Sequence, residues 1–183
     1  NPDIDIVYVV LPNALHKEYV LKAARAGKHV ICEKPMAISS EECKEMISVC
    51  AEQGVRLSIG YRNHFDPYHQ HLMEVGRQST VRYIQADFGY VIRNPNEWRM
   101  KQALAGGGAL VNVGIYSIQT ACYMTGEQPV KVTAQAFKTK PAFFTEVEET
   151  ITFQLHFESG VATNLTTSHQ LSADRLYVDT DQG

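Results

Sequence analysis

The sequence predicts an α/β half built on a parallel sheet, followed by an α+β half built on an antiparallel sheet. In the first sixty residues, short apolar strands alternate with amphipathic helices, a pattern typical of βαβ units with a parallel sheet. From residue 130 onward, four segments of alternating apolar and polar residues follow one another, which favours an antiparallel sheet with one covered face. We therefore expect two domains, residues 1–62 and residues 63–183.

The first half reads as strand, helix, strand, helix, strand. Strands are predicted at 4–10, 29–32 and 56–60, with helices at 14–26 and from residue 39 or 40 onward. Gly27 and Gly54 follow the two helices, where a left-handed residue commonly ends a helix. Ser39 or Ser40 is the predicted N-cap of the second helix, because acidic residues follow in its first turn.

The second half begins with a helix that starts at Asp66-Pro67, since proline favours the first helical position. Further helices are predicted at about 98–104 and 109–124. Strands are predicted at 81–90, 130–137, 148–157, 161–168 and 175–179. Glu158-Ser159-Gly160 is a hairpin turn between two of these strands.

Composition excludes several classes of function. The net charge is −3, which gives no reason to expect a nucleic acid or an anionic membrane as partner. No apolar run approaches the roughly 20 residues of a membrane span. The four cysteines show no CxxC spacing, so we expect free thiols in the cytoplasm. The histidines near residue 66 lack the spacing of metal ligands, and no metal site is predicted.

Glu33-Lys34-Pro35 is the first motif that indicates chemistry. It lies at the carboxyl end of a predicted parallel strand, where doubly wound sheets bind their ligands. A cation at this position can hold a substrate oxygen and favour ionisation of a neighbouring phenol. The alternative interpretation is a surface lysine in a turn.

Tyr116 is the second candidate, on a helix that follows the glycines at 106–108. A phenol is a poor acid or base at neutral pH unless a cation lowers its pKa from about 10. Lys34 is the predicted cation, and Asn112 shares the helix face with Tyr116 and can bind a hydroxyl. The alternative is a tyrosine that anchors the helix to the sheet.

Trp98 and Arg99 precede the glycines at a junction between loop and helix. The indole can stack on a ring, and the guanidinium can bind a hydroxyl or phosphate. A packing tryptophan beside a solvated arginine is the alternative.

The ordered set of motifs resembles the Gfo/Idh/MocA family of nicotinamide-dependent oxidoreductases. The set consists of Leu11-Pro12-Asn13 with His16, Gly27-Lys28-His29-Val30, Cys32-Glu33-Lys34-Pro35, Gly60-Tyr61-Arg62, Asp66-Pro67, Trp98-Arg99, the run from Ala103 to Gly108, Gly114-Ile115-Tyr116 and Gly126-Glu127-Gln128-Pro129. The Trp-Arg and Gly-Ile-Tyr forms most resemble glucose–fructose oxidoreductase and its relatives. The inositol dehydrogenase branch tends to have histidine at the position of Tyr116.

The resemblance implies part of a Rossmann domain followed by an α/β domain with a large, mostly antiparallel open sheet that forms a homo-oligomer. It implies NADP or NAD, with NADP slightly favoured, and a sugar or polyol substrate. Tyr116 would be the acid/base and Lys34 would orient the oxygen and lower the phenol pKa. The implied cofactor-binding residues are Leu11, Pro12, His16, Glu33, Lys34, Pro35, Trp98 and Arg99. The implied substrate-binding residues are Lys34, Arg62, Asn112 and Tyr116. The Lys34–Pro35 bond is expected to be cis.

Two departures from the family pattern leave alternatives open. Family members usually carry aspartate at the position of Asn112, so a non-catalytic sugar-binding protein is one alternative. The GxGxxG motif of the family would precede residue 1, so we expect a fragment that binds dinucleotide poorly. A β-sheet dimerisation module is the other alternative.

Overall fold

The computed structural model describes all of residues 1–183 and confirms the predicted fold class, a parallel sheet followed by a largely antiparallel one. In the first half, β1 (Ile6–Val9), β2 (His29–Cys32) and β3 (Leu57–Ile59) form a parallel sheet in the order β1-β2-β3. Helices α1 (His16–Arg25) and α2 (Ser40–Glu52) connect the strands. The carboxyl ends of β1 and β2 therefore lie side by side. The domain boundary at residue 62 stays a prediction.

The termini of the first-half helices follow the local sequence. The Ser39 hydroxyl accepts a hydrogen bond from the backbone N–H of Glu42 at 3.2 Å, so Ser39 is the N-cap of α2. Gly27 follows α1 with a φ of 70°, a conformation that other residues adopt at a cost. Buried side chains from both helices and from β1 and β2 form one core, including Val9, Val20, Val30, Cys32 and Met46.

The second half contains α3 (Pro67–Gln78), β4 (Val81–Gly89), α4 (Gln102–Ala105) and α5 (Ile115–Thr125). Its last four strands are β5 (Lys131–Phe137), β6 (Thr150–His156), β7 (Ala162–Ser168) and β8 (Ala173–Thr180), in the sheet order β5-β6-β7-β4-β8. The carboxylate of Asp66 accepts hydrogen bonds from the backbone of Tyr68 and His69 and caps α3 as predicted. A second core lies between this sheet and α5.

One pairing in the second sheet is not antiparallel. β4 runs parallel to β7, while every other neighbouring pair is antiparallel. The sequence shows that β4 alternates, but alternation does not reveal which partners a strand takes from far along the chain. β4 lies between β7 and β8, and this position buries Ile84 and Ala86 completely.

Several element boundaries differ from the sequence prediction by one or two residues, and two of the differences have identifiable reasons. β6 begins at Thr150 rather than at residue 148, because the carboxylates of Glu148 and Glu149 bind backbone N–H groups of neighbouring loops. The predicted helix at 109–124 begins with a π-helical turn, Leu110–Gly114, before α5. None of the helices combines the length and apolar character needed to cross a membrane. All four cysteines are free thiols.

Candidate active site between the two halves

The structure brings Lys34 and Tyr116 together, one from each half of the chain. Lys34 follows β2, and the Lys34–Pro35 peptide bond is cis, as expected. Its ammonium donates a hydrogen bond to the backbone carbonyl of Asn112 at 2.6 Å and lies 4.8 Å from the ring centroid of Tyr116. The ammonium is therefore held across the junction of the two halves, against the face of the phenol ring.

Lys34 is poised to lose its proton in the mildly alkaline range. The pKa of its ammonium is lowered from 10.5 to about 8, mainly by burial and also by the charges of Arg99 and Arg62, while the charge of Glu33 opposes the shift. Glu33 also accepts hydrogen bonds from the hydroxyl of Tyr8 and from the backbone N–H of Lys34. A lysine whose pKa lies this close to neutrality is typical of a site that handles protons.

The expectation that Lys34 lowers the pKa of Tyr116 is wrong for this structure. Burial raises the pKa of the Tyr116 phenol above its ordinary value of 10, and Glu33 raises it further, while the cation that lowers it is Arg62. The reason is geometric, because Lys34 lies over the ring face. Tyr116 is accordingly a protonated phenol at neutral pH and is suited to donate a proton.

A cavity of about 290 Å³ lies at the carboxyl ends of β1 and β2, and we call it the strand-end cavity. Seven of the predicted site residues line it, namely Leu11, Pro12, Glu33, Lys34, Trp98, Arg99 and Asn112. The guanidinium of Arg99 lies 4.5 Å from the Trp98 ring centroid. The cavity lies just beyond the carboxyl ends of parallel strands and combines an apolar wall with an indole ring and two cations. This combination fits the nicotinamide end of a dinucleotide.

His16 and Pro35 do not line the strand-end cavity but lie behind its wall. His16 is completely buried, and its two ring nitrogens lie 2.9 Å from the backbone oxygens of Pro35 and Leu11. The structure therefore places His16 against the backbone of the cavity wall.

A larger cavity of about 810 Å³, the tyrosine cavity, is lined by Tyr116 and not by Lys34. Arg62 and Tyr116 line it, together with aromatic and acidic side chains that include Phe65, Tyr68, Tyr90 and Asp174. Aromatic faces beside charged groups suit a ligand with one apolar face and several hydroxyls. The Lys34–Tyr116 pair thus lies between a cavity suited to a flat ring and a cavity suited to a polyhydroxylated molecule.

Asn112 and Tyr116 line different cavities, although they were expected to share a helix face. The π-helical turn at Leu110–Gly114 shifts the register between them. The side-chain amide of Asn112 donates to the Tyr90 hydroxyl at 2.6 Å and lies 3.4 Å from Nε2 of His169. Asn112 therefore bridges a residue of the tyrosine cavity and a buried histidine.

His169 makes the stability of the protein depend on pH. Burial lowers the pKa of its imidazole from 6.5 to about 4, and the charges of Arg99 and Lys34 act in the same direction. Between these two pH values the unfolded chain binds the extra proton and the folded chain does not, so stability falls as pH falls. We expect His169 alone to remove about 3 kcal/mol of unfolding free energy between pH 6.5 and pH 4.

Urea denaturation at a series of pH values checks this prediction. The difference in unfolding free energy between the wild type and His169→Gln should slope between pH 6.5 and pH 4, since glutamine does not titrate. Parallel curves for the two proteins would contradict it.

The glycines at 106–108 allow the backbone before α5 to approach Glu148 closely. The Glu148 carboxylate accepts hydrogen bonds from the backbone N–H groups of Gly108 at 2.8 Å and Leu110 at 2.9 Å. Gly106 has a φ of 77° and ends α4. These contacts fix the start of the segment that carries Asn112 and Tyr116.

We expect Gly108→Ala to destabilise the protein by about 3 kcal/mol. A Cβ at this position would lie 2.2 Å from the backbone oxygen of Glu148, and backbone cannot move aside as a side chain can. Gly60→Ala is the matched control, because its new Cβ would meet the flexible carboxylate of Glu33 at 3.3 Å and the backbone oxygen of Cys32 no closer than 3.4 Å, an ordinary contact distance. Chemical denaturation of both variants measures the difference. Equal stability of the two variants would contradict the prediction.

Three residues of the site were not assigned a role from the sequence. The ring of Tyr61 lies 5.3 Å from that of Tyr116, and its hydroxyl donates to the Ile115 carbonyl at 3.4 Å. Asn13 is buried and donates to the carbonyl of Ala105 at 2.8 Å, a further hydrogen bond between the two halves. His169 follows a predicted strand without any motif. The only sequence features that could have indicated a role for Asn13 and Tyr61 are the Leu-Pro-Asn and Gly-Tyr-Arg motifs that contain them.

Two family models match the chain in succession. Residues 1–61 match the model described as "Oxidoreductase family, NAD-binding Rossmann fold", and residues 69–183 match the "GFO/IDH/MocA C-terminal domain". The second match alone covers more than half of the chain.

Characterised relatives point to the same group of proteins. A D-xylose 1-dehydrogenase [NADP(+)] from Haloarcula marismortui is 32% identical over 93% of this chain and 49% of its own length. A 1,5-anhydro-D-fructose reductase from Ensifer adhaerens is 32% identical over 88% of this chain and 49% of its own length. The crystal structure of the aldose–aldose oxidoreductase from Caulobacter crescentus, complexed with glycerol, superposes with a TM-score of 0.94 at 43% identity, covering 98% of this chain and 55% of that one. The chain therefore spans about half the length of the relatives it matches.

Proposed function

The chain belongs to the GFO/IDH/MocA family of NAD-binding oxidoreductases, and we propose that the full-length protein transfers hydride between a nicotinamide cofactor and a sugar or polyol. The observation that carries the proposal is the Lys34–Tyr116 pair, held between a strand-end cavity and a tyrosine cavity. The sugar enzymes among the relatives support the substrate class.

The strand-end cavity is the proposed site of the nicotinamide end of the cofactor. Leu11 and Pro12 supply the apolar wall, while Trp98 and Arg99 supply a flat ring and a cation on the opposite side. His16, Glu33 and Pro35 support the wall or border it. The bound cofactor supplies or accepts the hydride. Both NAD and NADP remain candidates, because relatives with either cofactor are known.

Arg62 and Tyr116 of the tyrosine cavity, with Lys34 and Asn112 of the adjoining strand-end cavity, are proposed to handle the sugar. Lys34 orients the reacting oxygen by donating a hydrogen bond, and the Tyr116 phenol gives a proton to that oxygen when a carbonyl is reduced. In the opposite direction, when an alcohol is oxidised, the phenolate oxygen of Tyr116 accepts the proton. Arg62 binds a sugar hydroxyl and holds positive charge near the phenol, and Asn112 binds a hydroxyl through its amide.

Turnover and binding measurements on the full-length protein test this proposal. Reduction of NADP or NAD by a panel of aldoses and polyols is followed at 340 nm, and cofactor binding is measured separately by calorimetry. Sugar-dependent reduction supports the proposal. Binding of sugar without turnover would favour a non-catalytic sugar-binding protein, and binding of neither ligand would contradict the proposal.

The second sheet is the proposed contact between subunits. All seven residues of β5 are exposed, and Val132 and Phe137 are exposed apolar side chains on this edge strand. An apolar edge of this kind is typical of a surface that a second copy covers. Sedimentation of the full-length protein measures the oligomeric state, and a monomer at all concentrations would contradict the contact. The cytoplasmic location stays a prediction.

A further inference from the structure

His16 contacts two different loops of the strand-end cavity from behind. It is the first residue of α1 and is completely buried. Its Nδ1 lies 2.9 Å from the backbone oxygen of Pro35, and its Nε2 lies 2.9 Å from the backbone oxygen of Leu11. One imidazole therefore spans the distance between the loop after β1 and the loop after β2.

Both loops carry residues that line the strand-end cavity. Leu11 is itself part of the lining, and Pro35 directly follows Lys34, which is also part of it. Because β1 and β2 are neighbouring parallel strands, the two loops leave the same edge of the sheet. The backbone hydrogen bonds between the two strands end at Glu33, whose N–H donates to the carbonyl of Val9. His16 provides the bridge beyond that point.

The chemistry of the bridge requires a group with two polar atoms on opposite sides. A neutral imidazole donates its single N–H to one of the two carbonyls, and an imidazolium donates to both. The groups at both ends of the imidazole are backbone carbonyl oxygens, which only accept hydrogen bonds. An apolar ring of similar size at this position would fill the space but could donate a hydrogen bond to neither carbonyl.

The position of Lys34 depends on the Pro35 loop. The Lys34 ammonium must reach the Asn112 carbonyl at 2.6 Å and the face of Tyr116 at the same time. A shift of the loop after β2 therefore moves the ammonium relative to the phenol. The same shift changes the width of the strand-end cavity, because Leu11 and Lys34 lie on its opposite loops.

We propose that His16 is a positioning residue that sets the width of the strand-end cavity and the position of Lys34, without itself contacting cofactor or sugar. The inference rests on the proposed redox function for its effect on turnover. It predicts that loss of the bridge weakens cofactor binding and lowers kcat through the displaced Lys34, while the sugar KM changes little, because the tyrosine cavity is lined by residues that His16 does not contact.

The test uses the full-length protein with His16→Phe, His16→Gln and His29→Phe. Phenylalanine fills the volume without donating, and glutamine keeps a donor. His29→Phe is the matched control, because His29 lies in the same sheet and its Nδ1 accepts from the Arg56 backbone instead of bridging cavity loops. The measurements are the Kd of NADP and NAD by calorimetry, and kcat and KM for the sugar.

We expect His16→Phe to raise the cofactor Kd about tenfold and to lower kcat about tenfold, with the sugar KM within about twofold of wild type. His16→Gln should recover part of both losses, to within about threefold of wild type, because a donor is restored. His29→Phe should leave both quantities within about twofold of wild type.

A lower melting temperature for His16→Phe with unchanged Kd and kcat would overturn the inference and leave His16 as a core residue. If His16→Phe fails to fold, the smaller His16→Leu takes its place, because leucine also lacks a hydrogen-bond donor, and wild-type Kd and kcat in His16→Leu would overturn the inference. A wild-type protein that binds cofactor but turns over no sugar would contradict the proposed function alone, since the Kd measurements still test His16. A wild-type protein that binds neither dinucleotide would overturn both.

Discussion

We expect Tyr116→Phe to lower the kcat of the full-length protein by about 10³-fold, because it removes the proposed proton donor and leaves the aromatic ring in place. The ring keeps its contacts with Lys34 and with Tyr61, so the protein should fold as the wild type does. The KM for sugar should change little, since the phenol contributes mainly to the transition state. Steady-state kinetics at saturating cofactor measure the effect.

Tyr61→Phe is the matched control for this prediction. Tyr61 lies against Tyr116, but its hydroxyl donates to the backbone carbonyl of Ile115. Loss of that hydroxyl should cost about threefold in kcat or less, because a single 3.4 Å bond is lost. Equal losses for the two variants would mean that the tyrosines serve packing, and that another group transfers the proton.

Lys34→Met has the second largest expected effect, a loss of about 10²- to 10³-fold in kcat/KM. Methionine retains the length and apolar character of the lysine stem but lacks the ammonium. The variant therefore loses the donor that orients the substrate oxygen and the hydrogen bond to the Asn112 carbonyl. A residual activity above one tenth of wild type would show that Lys34 is not part of the chemistry.

The pH profile separates the charge of Lys34 from its position. Its pKa is lowered to about 8, so the ammonium is present below that pH and is lost above it. The kcat/KM of the wild type should therefore fall as pH rises through about 8. Lys34→Arg keeps its charge throughout this range and should lose that fall, although its larger head group lowers the rate. A wild-type profile that is flat from pH 7 to pH 10 would contradict this assignment.

Local signals made much of the fold predictable. The N-caps at Ser39 and Asp66 depend on side chains within three residues of the capped groups, so the sequence contains all the information they need. The same holds for Gly126, which ends α5 with a φ of 71°. Segments whose structure is decided by neighbours along the chain were therefore predicted nearly to the residue.

Features decided by distant partners were not predictable in this way. The parallel pairing of β4 with β7 joins strands that lie far apart in the chain, and no residue of β4 signals it. The late start of β6 depends on contacts of Glu148 with the glycine turn forty residues earlier. The burial of His169 beside Asn112 likewise depends on a distant contact, because the end of β7 packs against the π-helical turn before α5.

The candidate site shows the same division. The motif after β2 and the tyrosine on α5 indicated two residues that the structure brings together, because both follow local glycine, proline or strand-end signals. The orientation of the pair was not predictable, since whether the ammonium lies beside the phenol oxygen or over the ring depends on how the halves pack. This is why Arg62, not Lys34, proved to be the cation that lowers the pKa of Tyr116.

The place of β4 in the second sheet has a consequence for the order of folding. Its two neighbours, β7 and β8, both lie near the far end of the chain, with Tyr83 paired to Ala162 and Val81 paired to Thr180. Such separations carry a large loop-closure entropy and slow the search for native pairs. The first half, whose strands are close in sequence, can form early. The tyrosine cavity is lined by residues of β4 and of β8, so it is completed only after β8 has been synthesised.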